Sequence, residues 1–355
     1  MSTSRHDSHR PPEPPPGRKR RRKAADGARE VPMVDKPEFS SYYGRSVVKA
    51  PPWGDEIAAY LFLGGLAGGS SLISAGAQLT GKPTLQRNAR LTALGGLGLG
   101  TAALIHDLGR PERFLYMLRT FKVTSPMSVG TWLLSAFGVG AGVTAAVEVD
   151  RLSSRRLPLG PLRRMLGALE KPAEAQTALL GAPLASYTGV LLSATAVPTW
   201  YAAREHLPFV FVSSAALAAS GAALVSTPVR ETQPARALAV IAAASEVVSM
   251  KLMKKRMHPA EAEPLESGGP GTMLKWAERL TVVGAAGAVL LGGRRSTAAA
   301  SGLLMLGASV LTRVGVLRAG INSAADPRHT VEPQRARLEA RRAEGGVHDS
   351  ITTAG

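Results

Sequence analysis

The chain alternates long apolar runs with short links that carry charge or proline. Residues 57–81, 123–147, 175–203 and 207–229 each lack Asp, Glu, Lys and Arg altogether. A bilayer core asks for ~20 apolar residues per helix, and each run meets that length. Four further runs are shorter or interrupted: 91–105 between Arg90 and His106, 237–250 with Glu246 inside it, 280–293 ending at Arg294-Arg295, and 296–312 leading into Arg313. No strand-like alternation competes, and in lipid the backbone must be satisfied within helices or a closed barrel. The pattern predicts an all-α integral membrane protein with eight transmembrane helices. Arg87 and Arg90 are expected to snorkel from the second helix. Trp132, Trp200 and Tyr201 are expected in the interfacial belt. Small residues four apart (Gly64/Gly68, Gly65/Gly69, Gly96/Gly100, Gly138/Gly142) predict close helix contacts.

Charge refines this picture. Of 355 residues, 43 are Lys or Arg and 26 are Asp or Glu, a net charge of +17. Such a surplus would suit nucleic acid, but residues 50–318 hold only 26 basic and 15 acidic residues. No nucleic-acid partner is therefore expected. Residues 1–50 read as a basic tail without a core of its own, expected to be disordered and solvated near anionic lipid. Residues 51–320 form the membrane domain. Residues 321–355 are a polar tail, expected to be extended or disordered unless a partner orders it. There is no cysteine, which removes disulfides, thiolate-held metal clusters and a cysteine nucleophile from this chain. Haem held by two histidines is not expected, because only His106 and His206 stand near spans, both at helix ends. No metal site is expected either.

Eight spans put both termini on one side, with the links after the second, fourth and sixth helices. Basic residues near the membrane are nearly balanced between the sides, so the positive-inside rule decides little. The basic tail tips the expectation toward cytoplasmic termini at the inner or plasma membrane. Polar groups converge on that side. Asp55 and Glu56 begin the first helix, and Tyr60 shares a face with Glu56. His106 and Asp107 close the second helix, before Leu108-Gly109-Arg110-Pro111-Glu112-Arg113. Gly109 suits a turn there, and Pro111 the start of a short helix. Ser125-Pro126 leads into the third helix. Glu246 and Arg313 lie at similar depth in their helices. Intramembrane charges are costly and usually paired, so the two are expected to pair or to share a water-lined cavity, as a structural pair or as a proton route.

Such a mouth suits a quinone. Its ring needs a lipid-accessible slot, a donor to a carbonyl oxygen and titratable groups leading to water. The chain has no evident electron carrier, so electrons would arrive from a docked partner. Two other readings compete. One is a proton- or solute-translocating module using Glu246, Arg313, Glu278 and Glu148. The other is a structural anchor with a degenerate pocket.

Several motifs sharpen the choice: Trp53-Gly54, Tyr60-Leu61-Phe62-Leu63-Gly64-Gly65-Leu66-Ala67-Gly68-Gly69-Ser70, His106-Asp107-Leu108-Gly109-Arg110-Pro111-Glu112-Arg113-Phe114, Thr124-Ser125-Pro126-Met127-Ser128-Val129-Gly130-Thr131-Trp132, Tyr187 to Pro198, and Ser323-Ala324-Ala325-Asp326-Pro327. With these the sequence resembles the NrfD / polysulfide reductase membrane-subunit family over roughly residues 42–337. The resemblance implies eight helices arranged as two four-helix bundles, with no haem or metal in this chain. It implies a quinone-binding anchor, menaquinone being the expected quinone, that is non-catalytic alone. Electrons would pass between the quinone pool and a docked ferredoxin-like Fe–S subunit serving a molybdopterin-type catalytic subunit. By position, Glu56, Tyr60, His106, Asp107 and Tyr187 would bind the quinone, with Tyr187 donating to a carbonyl. Arg110, Glu112, Arg113 and Ser125 would form the docking loop.

Overall fold

The computed structural model describes residues 46–343; the basic tail 1–45 and the stretch 344–355 lie outside the described residues. Every regular element among the described residues is helical. The helices are α1 (Asp55–Leu79), α2 (Pro83–Asp107), α3 (Glu112–Met117), α4 (Pro126–Leu152), α5 (Pro161–Ser193), α6 (Pro198–Ala202), α7 (Leu207–Ser226), α8 (Gln233–Arg256), α9 (Pro259–Ala262), α10 (Gly268–Leu290), α11 (Arg295–Ala325) and α12 (Arg328–Ala343). Proline opens many of them. Pro83, Pro126, Pro161 and Pro198 each stand in a first turn, where the missing N–H costs nothing and the fixed φ fits.

Helices α1, α4, α7 and α11 are long and apolar enough to cross a membrane. The uncharged run 175–203 is not one helix. It stops at Ser193, and a turn leads to Pro198 and the short α6. A helix reaching Ala203 would have to run through Pro198, whose ring clashes with the preceding turn. In exchange, α5 extends back to Pro161 through charged residues and carries Pro172 and Pro183 inside it. The segment after Asn322 also differs from expectation: α11 continues to Ala325, and α12 follows at Arg328.

Helices α1 and α7 hold the centre. α1 packs on α2, α5 and α7, while α7 also packs on α8 and α11, and α10 lies against α11. Small residues permit the approach. A Cβ on Gly68 would lie 2.4 Å from the Gly181 carbonyl of α5, and one on Gly69 would lie 2.5 Å from the Ala215 carbonyl of α7. Gly96 meets Leu63 of α1 in the same way, but a Cβ on Gly142 would meet nothing within 4 Å. The Gly138/Gly142 spacing therefore marks no tight contact. Large apolar side chains point outward on these helices: Leu99, Val139, Leu179, Ile241, Leu290 and Leu303 are exposed, while Ala, Gly, Ser and Thr fill much of the interior. Water would not tolerate that distribution, and lipid does.

The end of the fold away from residues 46 and 343 is fastened by ions. Arg90 does not snorkel. It is 2% exposed and reaches Glu148 of α4 at 2.6 Å, Glu170 of α5 at 2.8 Å and Glu174 of α5 at 2.7 Å. Ser74 of α1 donates to Glu174, and Arg151 bridges Glu148 and Glu170. The Arg90 guanidinium thus ties α2 to α4 and α5, and Ser74 adds α1 through Glu174. At the same end Glu231, in the link before α8, accepts from the N–H groups of Thr84 and Leu85 and from the Thr84 hydroxyl, at 2.8, 3.1 and 2.8 Å. It caps the first turn of α2, where a carboxylate also meets the positive end of the helix dipole. Burial pushes its pKa up, but these hydrogen bonds outweigh that and hold it below the ordinary 4.5.

Candidate functional site

At the opposite end, the starts of α1 and α4 meet the ends of α2 and α5. Asp55 pairs with Arg318 of α11 at 3.2 Å. Trp53 stacks on Trp200 with ring centroids 5.4 Å apart. Trp200 is no belt residue. It is 0% exposed and donates its indole N–H to the Val316 carbonyl at 2.8 Å, while Trp132 and Tyr201 stay exposed.

Between these helix ends lies a narrow, largely apolar cavity of about 80 Å³. Tyr60 of α1, Asp107 of α2 and Tyr187 of α5 line it, with Thr131 and Met127 of α4 and Met117 of α3. Tyr60 and Tyr187 are 4% and 8% exposed. Neither phenol has a hydrogen-bond partner among the described residues. A buried Tyr hydroxyl usually finds one, so the two are available to a ligand atom. Tyr187 reaches this end because α5 stops six residues beyond it.

Glu56 and His106 do not line the cavity. They stand at its rim, with His106 Nδ1 3.7 Å from Glu56 Oε1 and the imidazole 79% exposed. Asp107 joins rim to cavity. Partial burial, then the neighbouring Glu56 carboxylate, raise its pKa above the ordinary carboxylate value, against a smaller pull from His106. It is the last residue of α2, beyond the apolar run 91–105.

The link above the cavity is built locally. Gly109 turns with φ of +68°, a backbone shape glycine adopts freely, and Pro111 precedes α3. Arg110, Glu112 and Arg113 are exposed, and Arg113 donates back to the Leu108 carbonyl. Ser125 does not face outward as a free group. It caps α4 by accepting from the Ser128 N–H. Ser128 and Trp132 both donate to the Thr120 carbonyl, at 2.9 and 3.4 Å, and so pin the link to α4. Gly130 backs the cavity: a Cβ there would lie 1.8 Å from Tyr187 Cζ. Met127, Gly130 and Thr131 all stand in the Thr124–Trp132 motif, but nothing in the sequence assigned them to the cavity wall.

Residues 46–258 match the family model described as polysulphide reductase, NrfD. The chain belongs to the NrfD family. Among curated relatives, protein NrfD of Escherichia coli (strain K12) is 28% identical over 211 residues, 55% of this chain and 64% of that protein. An NrfD homolog of Haemophilus influenzae is 30% identical over 156 residues, 40% of this chain and 49% of that protein. The polysulfide reductase polypeptide lettered C in Wolinella succinogenes is 30% identical over 152 residues, 40% of this chain and 48% of that protein. The chain thus spans between about half and two thirds of the length of these relatives. NrfD-family membership and its four apolar helices make it an integral membrane protein.

The NrfD match covers all cavity-lining residues and Glu246 but not Arg313. Those two charges are both buried yet form no ion pair within 4.0 Å among the described residues. Glu246 Oε1 instead accepts from Thr312 at 2.8 Å. Arg313 donates to Thr188 and to the Phe211 carbonyl, lies 3.9 Å over the Phe211 ring, and uses the space left by Gly65. Glu246 Oε2 and Arg313 Nε have no partner among the described residues. They face different neighbours because the fold offers each a nearer one. Glu278 lies on the outer surface, paired with Lys251 at 3.3 Å.

Proposed function

We propose that this NrfD-family protein is the quinone-reactive, eight-span membrane subunit of a multisubunit respiratory oxidoreductase. The observation that carries this reading is the cavity, where two buried phenols and a carboxyl from three helices meet in an apolar slot, and neither hydroxyl bonds another of the described residues. The outward-facing apolar side chains on the long helices support eight spans, with α1, α2, α4 and α5 as one four-helix bundle and α7, α8, α10 and α11 as the other. Residues 51–320 would be the membrane domain, with both termini cytoplasmic.

A quinone, menaquinone for preference, supplies two-electron, two-proton chemistry when bound. The protein's own residues hold it and move protons. Tyr187 donates to one carbonyl oxygen, and Tyr60 steadies the ring from the α1 wall. The Leu and Ile walls exclude water. Asp107 passes protons between the slot and the rim, where Glu56 and His106 meet solvent. Arg110, Glu112 and Arg113, with the link that Ser125 shapes, form the docking face for a ferredoxin-like Fe–S subunit, itself serving a molybdopterin-type catalytic subunit. The name of the Wolinella relative, one lettered polypeptide of a polysulfide reductase, supports a partnered arrangement. The buried, partly unsatisfied Glu246 and Arg313 favour a second role, a proton route accompanying the redox step.

The test is Tyr187→Phe in the assembled complex, assayed for quinol oxidation. Losing one hydrogen bond of ~0.5–1.5 kcal/mol predicts a two- to tenfold weaker quinone affinity, with the complex intact. Unchanged turnover and affinity would remove Tyr187 from the site and leave the structural anchor as the better reading.

A further inference from the structure

A second cleft, of about 290 Å³, opens at the same end of the fold but in the other half. Its walls come from the link between α6 and α7 (Arg204, His206), the end of α8 (Arg256), His258 at the start of α9 and α12 (Arg337), with Glu261 of α9 buried in its floor. None of these residues touches the quinone slot.

Its charges do not cancel. Arg204 lies 3.8 Å from Glu205, and Arg337 lies 3.3 Å from Glu261. Arg256 has no carboxylate within 4.0 Å among the described residues. His258 Nδ1 accepts from the Ala260 N–H at 3.3 Å, and its Nε2 has no partner among the described residues. Both carboxylates in the cleft are thus engaged, and a guanidinium, an imidazole edge and unused N–H groups of two further arginines remain.

The surroundings are apolar in one direction. On α8, Ile241, Val248 and Leu252 are exposed and lead at helical spacing to Arg256. On α7, Phe209 is exposed three residues after His206. Ser213 and Ser245 meet at 2.8 Å, so these two faces adjoin. A cationic cleft therefore sits at the head of an apolar groove between two helices.

We propose that this cleft binds a phosphate-bearing anion, and that an anionic phospholipid is its source. The phosphodiester lies among Arg204, Arg256 and Arg337, and the acyl chains follow Phe209, Val248 and Leu252. Free phosphate shares the headgroup chemistry but would leave the groove unused. The proposal needs α7 and α8 to lie in the bilayer and is independent of the quinone reading.

The experiment uses the full-length protein in nanodiscs or detergent, probed with phosphatidylglycerol, phosphatidylcholine and inorganic phosphate. Native mass spectrometry reads retained lipid, and displacement of labelled phosphatidylglycerol reads affinity. Phosphatidylglycerol is expected to bind at least tenfold tighter than phosphatidylcholine. Arg204→Gln and Arg256→Gln should each weaken it about fivefold. Lys251→Gln, a basic residue outside the cleft that faces Glu278, should change nothing, which separates the cleft from general surface charge. Thermal melting shows that each variant remains folded. Binding of inorganic phosphate without preference for either lipid would keep the anion site and assign it to free phosphate. Equal binding of both lipids with no competition by phosphate, or arginine variants that bind like the parent, would overturn the proposal.

Discussion

Replacing Gly130 by alanine tests the cavity without touching a polar group. The added Cβ would stand 1.8 Å from Tyr187 Cζ and 2.1 Å from its hydroxyl oxygen. A gap of that size cannot be closed by a few tenths of an ångström, and an aromatic ring has no flexible end to give way. Tyr187 must swing off its place or α4 must retreat from α5. Overpacking of this kind costs ~1–3 kcal/mol, set against ~1 kcal/mol gained from replacing glycine in a helix. The net effect on stability is thus small, between about zero and 2 kcal/mol. The effect on the slot is large, because the Tyr187 hydroxyl leaves it. Gly142→Ala in the same helix is the control: nothing lies within 4 Å of its Cβ, so it gains the helix propensity and leaves the slot alone. The assay pairs thermal melting in detergent with quinone affinity of the purified complex. Gly130→Ala should lower affinity at least as far as Tyr187→Phe, and Gly142→Ala should not lower it at all. If Gly130→Ala binds quinone as tightly as the parent, Tyr187 does not form the slot wall as described.

Three further outcomes follow from the geometry. Arg90→Met leaves the buried Glu174 without a cation and Glu148 and Glu170 held by Arg151 alone; breaking such a buried pairing costs ~3–5 kcal/mol, and melting should show it, with partial recovery when Glu174→Gln is added. Glu231→Ala should cost about 1–2 kcal/mol, the scale of a lost helix cap. Because the folded pKa of Glu231 lies below the ordinary 4.5, its contribution is present above that value and is lost as pH falls through the lowered one; the difference in melting temperature between parent and variant should therefore shrink on acidification from about pH 6 to about pH 3. Glu246→Gln keeps an acceptor for Thr312, so stability should hold while proton-coupled quinol turnover falls severalfold; an unchanged rate would strike Glu246 from any proton route.

Much of the architecture was legible because membrane helices announce themselves by what they omit. Uncharged runs located α1, α4 and α7, and Gly109 with Pro111 marked the turn into α3. The run 175–203 misled because absence of charge says nothing about where proline forbids a helix to continue. Charged residues before it are helical too, since Asp150 engages Arg163 and since Arg90 and Arg151 engage Glu170. Those partners lie far apart in the sequence, and Arg90 meets its three carboxylates 58, 80 and 84 residues away. Pattern alone therefore assigned it to the membrane surface. At the candidate site, Tyr60 and Asp107 were legible as polar groups near helix ends, whereas Tyr187, inside the uncharged run 175–203, was suggested only by the family resemblance, because the sequence did not show that α5 ends at Ser193. Gly130 was not legible, because its importance is the ring on the far side of a missing methyl.

The tie between Glu231 and the start of α2 also governs the order of assembly. Thr84 leaves the ribosome 147 residues ahead of its partner. Glu231 cannot reach the first turn of α2 until α7 and the link after it have been made. Arg295 then fastens the same region again by donating to carbonyls at the end of α7. The two halves are stitched together late, and a polypeptide halted or cut after α5 lacks both fastenings.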